Sequence, residues 1–209
     1  MDLKNNLKLY FIPDRGIGLG TDEITQAKEA LRGGVTSIQL RSKKLETDEL
    51  YKIGLILREL TFQYKALLFV NDRVDLALTI NADGVHIGQN DLPLSAIKKI
   101  VPKGFIIGVS VETLEEAIQA EKSGADYLSV QSIFPTTSKE NVPVAGLDLL
   151  RQVSRSITIP VIGIGGITFG TVSSVMNTGA NGVAVISAIS RNKDIYSKTK
   201  ELRKEVDKY

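Results

Sequence analysis

The sequence predicts a single-domain α/β protein, a (β/α)8 TIM barrel that spans residues 1–209. Eight short apolar runs, rich in Val, Ile and Leu, are typical of parallel strands buried on both faces. The segments between them place apolar residues at helical spacing. Eight such units within the length of one domain favour a small closed barrel. An open doubly wound sheet, which shares the alternation, is the alternative.

The predicted elements alternate along the whole chain. The strands are expected at residues 7–12, 37–41, 67–70, 84–87, 106–109, 127–130, 160–163 and 182–186. The helices are expected at residues 21–31, 47–61, 113–122, 147–153, 171–176 and 195–206. Thr113 is followed three residues later by Glu116, the spacing of a capping box at a helix start.

Composition excludes several functional classes. The net charge is +2, the basic residues are scattered and Trp is absent, which argues against a nucleic-acid partner or a membrane surface. No apolar stretch approaches the roughly 20 residues of a membrane-spanning helix. The chain has no Cys, so disulfides and thiolate chemistry are excluded, which fits a cytoplasmic protein. The expected partners are small molecules, and a homo-oligomer is left open.

Polar residues cluster where the second predicted strand ends. Gln39, Arg41 and Lys43 alternate with other residues, so they share one face while the strand continues. Buried amide and cationic groups need a partner, and an anionic ligand such as a diphosphate would supply one. The alternative is that Arg41 and Lys43 simply begin a polar loop.

Acidic residues follow the third and fourth predicted strands. Asn71 and Asp72 come after one strand and Asp91 after the next. Two carboxylates at neighbouring strand ends could hold Mg²⁺, which binds oxygen ligands and often bridges them to substrate phosphates. Alternatively, Asn71 or Asp72 caps the following helix and Asp91 is a turn residue.

Hydroxyl groups follow the fifth and sixth predicted strands. Ser110 ends the fifth strand and could hold a phosphate or cap a helix. The loop after the sixth strand carries Thr136, Ser138 and Lys139, a set that could bind a phosphate or diphosphate. It is long for such a loop, which favours function over a plain surface loop.

The last two strand ends carry glycine and serine. Gly165 and Gly166 follow the seventh strand and Ser187 follows the eighth. Glycines let backbone N–H groups approach a phosphate, and barrels often bind phosphate at these two loops. The single histidine, His86, lies within a strand, so it is interpreted as a satisfied polar group of the barrel core. Asp14-Arg15, after the first strand, gives no clear signal.

Taken together, these residues resemble the thiamine-phosphate synthase family over nearly the whole chain. The motifs that carry the resemblance are Gln39-Leu40-Arg41-Ser42-Lys43, Asn71-Asp72-Arg73-Val74-Asp75, Ala82-Asp83-Gly84-Val85-His86-Ile87-Gly88-Gln89, Phe134-Pro135-Thr136-Thr137-Ser138-Lys139 and Ile164-Gly165-Gly166-Ile167. Their order and spacing, rather than any single motif, make the resemblance specific.

The resemblance implies three groups of site residues. The pyrimidine-diphosphate contacts fall on Gln39, Arg41, Lys43, Asn71, Ser110 and Lys139. The thiazole-phosphate contacts fall on Thr136, Ser138, Gly166, Ile186 and Ser187. The Mg²⁺ ligands fall on Asp72 and Asp91. The catalytic set is Arg41, Lys43, Lys139 and Ser110.

The implied reaction is an alkyl transfer in thiamine biosynthesis. It joins 4-amino-2-methyl-5-hydroxymethylpyrimidine diphosphate to 4-methyl-5-(2-phosphoethyl)thiazole and releases thiamine phosphate and diphosphate. Two departures from the family pattern are visible. Gln131-Ser132 stands where most members carry glycine and often proline, and Ser138 replaces a usual threonine. They concern fine specificity more than reaction class.

Alternative functions remain at this stage. A thiazole tautomerase shares the fold but uses a histidine in the loop after the sixth strand, and residues 131–139 contain none. A non-catalytic thiazole-phosphate binding protein would bind the phosphates without turnover. Another phosphate-binding barrel, such as an isomerase, could use Asp72 and Asp91 as acid and base but leaves Arg41 and Lys139 unexplained.

Overall fold

Eight parallel strands form the centre of the molecule in a computed structural model that describes residues 2–136 and 143–209. The strands are β1 (Leu9–Phe11), β2 (Ser37–Leu40), β3 (Leu67–Asn71), β4 (Gly84–Ile87), β5 (Ile106–Val111), β6 (Tyr127–Val130), β7 (Val161–Ile164) and β8 (Gly182–Val185). Each lies at a predicted position. Every strand residue is buried except Asn71 at the end of β3 and Ile164 at the end of β7, as strands covered on both faces should be.

The sheet closes on itself. The strands pair in chain order, and Tyr10 and Phe11 of β1 pair in parallel with Ala184 and Val185 of β8. Closure removes both sheet edges. The predicted (β/α)8 barrel is therefore confirmed, and the alternative of an open doubly wound sheet is wrong.

Helices follow the strands around the barrel. They are α1 (Leu3–Asn6), α2 (Glu23–Gly33), α3 (Thr47–Tyr64), α4 (Val74–Thr79), α5 (Leu94–Ile97), α6 (Leu114–Ser123), α7 (Gly146–Ser156), α8 (Val172–Met176), α9 (Ser187–Ser190) and α10 (Ile195–Val206). The Thr113 hydroxyl accepts the Glu116 N–H at the start of α6, as the capping-box spacing predicts, and the Glu116 carboxylate accepts the Glu112 N–H.

The apolar residues form two clusters on opposite faces of the strands. The larger cluster contains Leu9, Ile38 and Leu68 together with helix residues, so it lies between the barrel and its outer helices. The smaller one contains Tyr10, Phe69 and other strand residues whose side chains alternate with those of the first. It therefore fills the barrel interior.

Candidate active site

A cavity of about 310 Å³ lies at the carboxyl ends of the strands, where barrels of this class place their active sites. Residues expected at the site from all three groups line it. They are Gln39, Arg41, Lys43, Asn71, Asp72, Asp91, Ser110, Thr136, Gly166, Ile186 and Ser187. Ser138 and Lys139 lie outside the described residues. The structure thus brings residues from the ends of seven strands to one cavity. Their individual roles stay predictions.

Asp72 and Asp91 form an acidic pair on the cavity wall. Burial, together with the hydrogen bond and the negative charge of Asp91, raises the pKa of Asp72 to about 6. The positive charge of Arg41 and the amide of Asn71, which donates to Asp72 Oδ2 at 2.6 Å, oppose that rise in pKa. Two such carboxylates attract a hard cation, because a cation offsets their mutual repulsion.

Asp72 has a left-handed backbone conformation. Its φ is +61°, a left-handed conformation that is uncommon outside glycine but that Asp and Asn adopt more often than other residues. Such conformations cluster at functional sites, where the surrounding structure holds them in place. Neither Asn71 nor Asp72 caps the next helix, since α4 has Arg73 at its cap position and no side-chain cap bond.

Asp91 is part of a turn as well as of the cavity wall. Its Oδ2 accepts the Gly88 N–H at 2.7 Å, which fixes the carboxylate at the end of the loop after β4. The turn interpretation and the metal interpretation are therefore compatible, because a carboxylate with one oxygen in a turn keeps further lone pairs for a cation.

The cationic groups come from the end of β2. Gln39 is 2% exposed within the strand, Arg41 is partly buried just beyond it and Lys43 is exposed. All three line the cavity, as the alternation along the strand predicts. The positive charges therefore lie at the rim and the neutral amide lies deeper, an order suited to a ligand with one charged end.

The opposite wall is built from the ends of β7 and β8. Gly165 and Gly166 have φ values of +103° and +63°, and a Cβ on Gly166 would lie 2.5 Å from the Pro135 carbonyl oxygen. Only glycine permits this turn against the loop that carries Thr136. Ser187 begins α9 beside it. This wall offers hydroxyl and backbone groups rather than charges.

A chain of hydrogen bonds forms the floor of the cavity, and all its members except Tyr127 line the cavity. Gln39 Nε2 donates to the Tyr10 hydroxyl at 2.8 Å, and that hydroxyl lies 3.3 Å from the Tyr127 hydroxyl. His86 bonds to Tyr127 through Nδ1 and to Ser110 Oγ through Nε2, both at 2.9 Å. His86 is thus a satisfied polar group of the core, as predicted. The two tyrosines were not predicted to belong to the site.

Gln131, the most unusual residue of the sequence motifs, reaches the cavity. Its Nε2 donates to Glu112 Oε1 at 3.3 Å, and both residues line the wall near Ser110. Glu112 was not predicted. Arg15, after β1, instead forms ion pairs with Glu23 and Glu49. It does not line the cavity.

No helix among the described residues is long and apolar enough to cross a membrane. The same residues contain no cluster of three or more acidic, histidine or cysteine side chains suited to a metal ion. A cation at Asp72 and Asp91 would therefore take its remaining oxygen ligands from other groups, water or substrate.

Comparison with known proteins agrees with this geometry. A model of the thiamine monophosphate synthase family matches residues 9–189. The chain belongs to the thiamine monophosphate synthase family. Thiamine-phosphate synthase of Pyrococcus furiosus is 50% identical over 207 residues, which cover 99% of this chain and 98% of that protein. Its counterpart in Coprothermobacter proteolyticus is 46% identical and covers 96% of this chain and 95% of its own.

Solved structures of this synthase family show the same barrel. Thiamine phosphate pyrophosphorylase from Pyrococcus furiosus superimposes with a TM-score of 0.92 at 48% identity, over 99% of this chain and 98% of that one. Thiamine phosphate pyrophosphorylase from Bacteroides thetaiotaomicron gives a TM-score of 0.71 at 15% identity, over 96% and 98% of the two chains, and so supports the fold alone.

Proposed function

We propose that this protein condenses the pyrimidine diphosphate with the thiazole phosphate to give thiamine phosphate and diphosphate. One observation carries the proposal: in a member of the thiamine monophosphate synthase family, cationic, carboxylate and hydroxyl groups from neighbouring strand ends line one cavity. The chain covers nearly the full length of relatives named thiamine-phosphate synthase.

The two walls of the cavity suit the two substrates. The wall from β2 to β5 carries Arg41 and Lys43 at its rim, where they would hold the diphosphate. The wall from β7 and β8 carries Gly166 and Ser187, which would hold the phosphate of the thiazole. The reacting carbon and nitrogen would then meet between the walls, in a geometry fixed by binding at both ends.

The reaction breaks one bond and forms one. The bond between the pyrimidine methylene carbon and the diphosphate oxygen breaks, and its electron pair leaves with diphosphate. The lone pair of the thiazole nitrogen forms the new carbon–nitrogen bond and gives the thiazolium cation. No side-chain nucleophile is required, which suits a chain without Cys.

Catalysis would then rest on stabilising the departing charge. Arg41 and Lys43 donate charge-assisted hydrogen bonds to a diphosphate, and the Ser110 hydroxyl lies on the same wall. Lys139, which lies outside the described residues, is proposed to join them. Asn71 and Gln39 complete the pyrimidine-diphosphate contacts, and Thr136, Ser138 and Ile186 complete the thiazole-phosphate contacts.

Asp72 and Asp91 are the proposed ligands of Mg²⁺. The raised pKa of Asp72 and its left-handed backbone fit a carboxylate held for a cation rather than for a helix cap. When bound, Mg²⁺ supplies positive charge to the diphosphate oxygens. Asp72 and Asp91 would hold the metal on the cavity wall that Arg41 also lines.

The alternatives gain no support from the comparisons. Relatives that cover nearly the whole chain are named as synthases. His86 lies in β4 at the floor of the cavity, bonded to Tyr127 and Ser110, and not in the loop after β6. A cytoplasmic site of action, which the absence of Cys favours, is part of the same proposal.

Turnover is the decisive experiment. Purified protein is mixed with the pyrimidine diphosphate, the thiazole phosphate and Mg²⁺, and thiamine phosphate and diphosphate are followed with and without EDTA. We expect both products in equal amounts, and only with the metal present. Binding of thiazole phosphate without any product would instead favour the tautomerase or the binding protein.

The metal ligands are tested separately. We expect Asp72→Ala to lose activity and the calorimetric signal of Mg²⁺ binding in the presence of inorganic diphosphate. Asp75→Ala is the matched control, because Asp75 is a neighbouring carboxylate that pairs with Arg73 outside the cavity. An Asp72→Ala protein that stays active and Mg²⁺-dependent would place the metal elsewhere.

A further inference from the structure

We propose that Gln26, on α2, is a positioning residue for the wall of the cavity that would hold the thiazole phosphate. Its amide joins the loop after β1, residues 12–22, to Ser190 at the end of α9. Neither Gln26 nor Ser190 is among the described residues that line the cavity, so both would act on the substrate through Ser187, where α9 begins. This role rests on the proposed function, which assigns Ser187 to the phosphate.

The Gln26 amide is buried and makes its bonds within the protein. The exposed fraction of the residue is 0%. Oε1 accepts the Asp14 N–H at 3.1 Å, and Nε2 donates to the Asp14 carbonyl at 3.1 Å and to the Thr21 carbonyl at 2.7 Å. Because Asp14 and Thr21 lie near opposite ends of the loop after β1, this one side chain holds the loop closed.

The direction of each bond is fixed by the backbone partners. A backbone N–H only donates and a carbonyl only accepts, so the atom that faces the Asp14 N–H is the amide oxygen. Ser190 Oγ lies 2.7 Å from that oxygen, so the serine hydroxyl is the donor. Ser190 is itself 0% exposed, and this bond joins residues 164 positions apart.

One turn of helix connects Ser190 to the cavity wall. The Ser190 N–H donates to the Ile186 carbonyl at 2.9 Å, and both Ile186 and Ser187 line the cavity. A helix of four residues has little stability of its own, so its place depends on tertiary contacts. The buried side chain of Ile189 holds the turn against the core, but apolar packing is not directional. The bond to Gln26 has a preferred direction and therefore fixes the rotation of the turn.

The loop after β1 provides a firm base for this bond. A Cβ on Gly18 would lie 2.1 Å from Gln26 Nε2, so the loop backbone passes directly over the amide and leaves no room for a side chain. On the outer side of the loop, Arg15 forms ion pairs with Glu23 and Glu49. The strand end that gave no clear signal in the sequence thus supports the opposite end of the strand order, at β8.

Ser190→Ala is the direct test, since it removes one bond and leaves the three bonds between Gln26 and the loop. We expect the Kd of thiazole phosphate, measured by calorimetry, to rise about fivefold, the effect of one hydrogen bond. The Kd of the pyrimidine diphosphate should stay within about twofold, because α9 carries none of the residues proposed to contact it. Equal weakening for both substrates would indicate a general distortion and contradict the proposal.

Ser37→Ala is the matched control. Ser37 is also 0% exposed, and its hydroxyl also makes one bond, to the Asn6 carbonyl. It is the first residue of β2, so it lies at the end of the barrel opposite the cavity. The two variants should lose similar amounts of Tm, and only Ser190→Ala should bind thiazole phosphate more weakly. The same rise in Kd for Ser37→Ala would show that lost stability alone weakens binding.

A measurement without ligand tests the turn itself. The Arg191 N–H donates to the Ser187 carbonyl, so its protection from hydrogen exchange reports whether the turn is closed. In Ser190→Ala we expect this protection to fall about fivefold, with the amides of α10 unchanged. Unchanged protection of Arg191 would show that the bond to Gln26 does not hold the turn.

The two levels of the proposal fail in different ways. Wild-type protein that does not bind thiazole phosphate would contradict the proposed function. Wild-type protein that binds it, together with a Ser190→Ala variant of unchanged Kd, would leave the proposed function intact and contradict the positioning role of Gln26.

Discussion

Arg41 lies on the cavity wall close enough to Asp72 for its charge to lower the pKa of that carboxyl group. We propose that it stabilises the departing diphosphate, and loss of such a donor costs about 10²-fold or more in turnover. Arg41→Ala should therefore reduce kcat by at least about that factor in the steady-state assay. The same loss is expected for Lys139→Ala.

Arg151→Ala is the control for Arg41. Arg151 is partly exposed, pairs with Asp148 on α7 and does not line the cavity, so its removal should leave kcat unchanged. If Arg41→Ala and Lys139→Ala both kept wild-type turnover, the roles proposed for these two residues would be wrong.

Asp72 gives a prediction about stability with a definite sign. Its folded pKa of about 6 lies above 3.8, the usual pKa of an aspartate, so its stabilising contribution is lost as pH rises from 3.8 through 6. Asp72→Asn should recover about 1 kcal/mol above pH 6, after allowance for solvent screening. That is a rise of about 2–4 °C in Tm at pH 7.5 with EDTA present.

Two comparisons make this prediction specific. At pH 3.5 the Asp72→Asn difference should shrink to about 0.2 kcal/mol, because the carboxyl group is then mostly protonated whether the chain is folded or not. Asp75→Asn should not raise Tm at pH 7.5, since Arg73 lowers the pKa of Asp75. A lower Tm for Asp72→Asn at pH 7.5 would show that the acidic pair is not a source of repulsion.

At the level of single residues, the sequence predicted the wall of the cavity but not its floor. Strand ends can be counted along a chain, so Gln39 and Asp91 were found from their positions alone. The contact between Tyr10 and Tyr127 joins residues 117 positions apart. Alternation predicts which face a side chain occupies, but not which side chain it meets across a barrel.

The turn after β7 allows a prediction at the level of a structural element. Gly166→Ala places a methyl group 2.5 Å from the Pro135 carbonyl oxygen and 2.7 Å from Phe134 Cβ. The loop that carries Thr136 must then shift, and we expect the Kd of thiazole phosphate to rise about tenfold or more, as when one or two hydrogen bonds are misplaced. Calorimetric titration measures the change.

Gly104→Ala is the matched control for that substitution. Gly104 has a φ of +88°, but a Cβ there would meet no atom within 4 Å. Both variants carry the backbone cost of a positive φ, and only Gly166→Ala adds the collision. If the two variants bound thiazole phosphate equally well, the turn after β7 would not be part of the phosphate site.

The longer elements were predicted more completely than the short ones. The helices α2, α3, α6 and α10 span several turns, so their apolar spacing is visible in the sequence. The helices α1, α5 and α9 have four residues each and α4 has six, too few to show a helical period. Only α1 has a side-chain cap, from Asp2, so the positions of the other three follow from packing, which depends on contacts elsewhere in the fold.

The barrel interior allows a prediction for the whole molecule. Phe69 is fully buried between the two tyrosines, and replacing it with Ala should cost about 3–5 kcal/mol because a cavity remains. Phe62→Ala is the matched control, since that ring is 80% exposed and its loss should cost less than about 0.5 kcal/mol. Urea unfolding with an unchanged m-value measures both.

Closure of the barrel could not be predicted from the sequence with the same certainty as its strands. An open sheet and a closed barrel have the same alternation of strands and helices, and the count of eight only favours the barrel. The pairing of Leu9 with Val183 decides the matter, and it joins the two ends of the strand order. Because that contact is so distant in sequence, no local pattern reports it.

The hydrogen-bond chain at the floor of the cavity also constrains how this protein can evolve, because a Cβ on Gly108 would lie 2.1 Å from Tyr127 Cζ. A side chain at position 108 collides with the tyrosine ring, so that change is harmful unless position 127 has already become smaller. A smaller residue at position 127, in turn, disconnects the two tyrosine hydroxyls. We therefore expect the two positions to vary together among descendants of a common ancestor, with glycine kept wherever the tyrosine is kept.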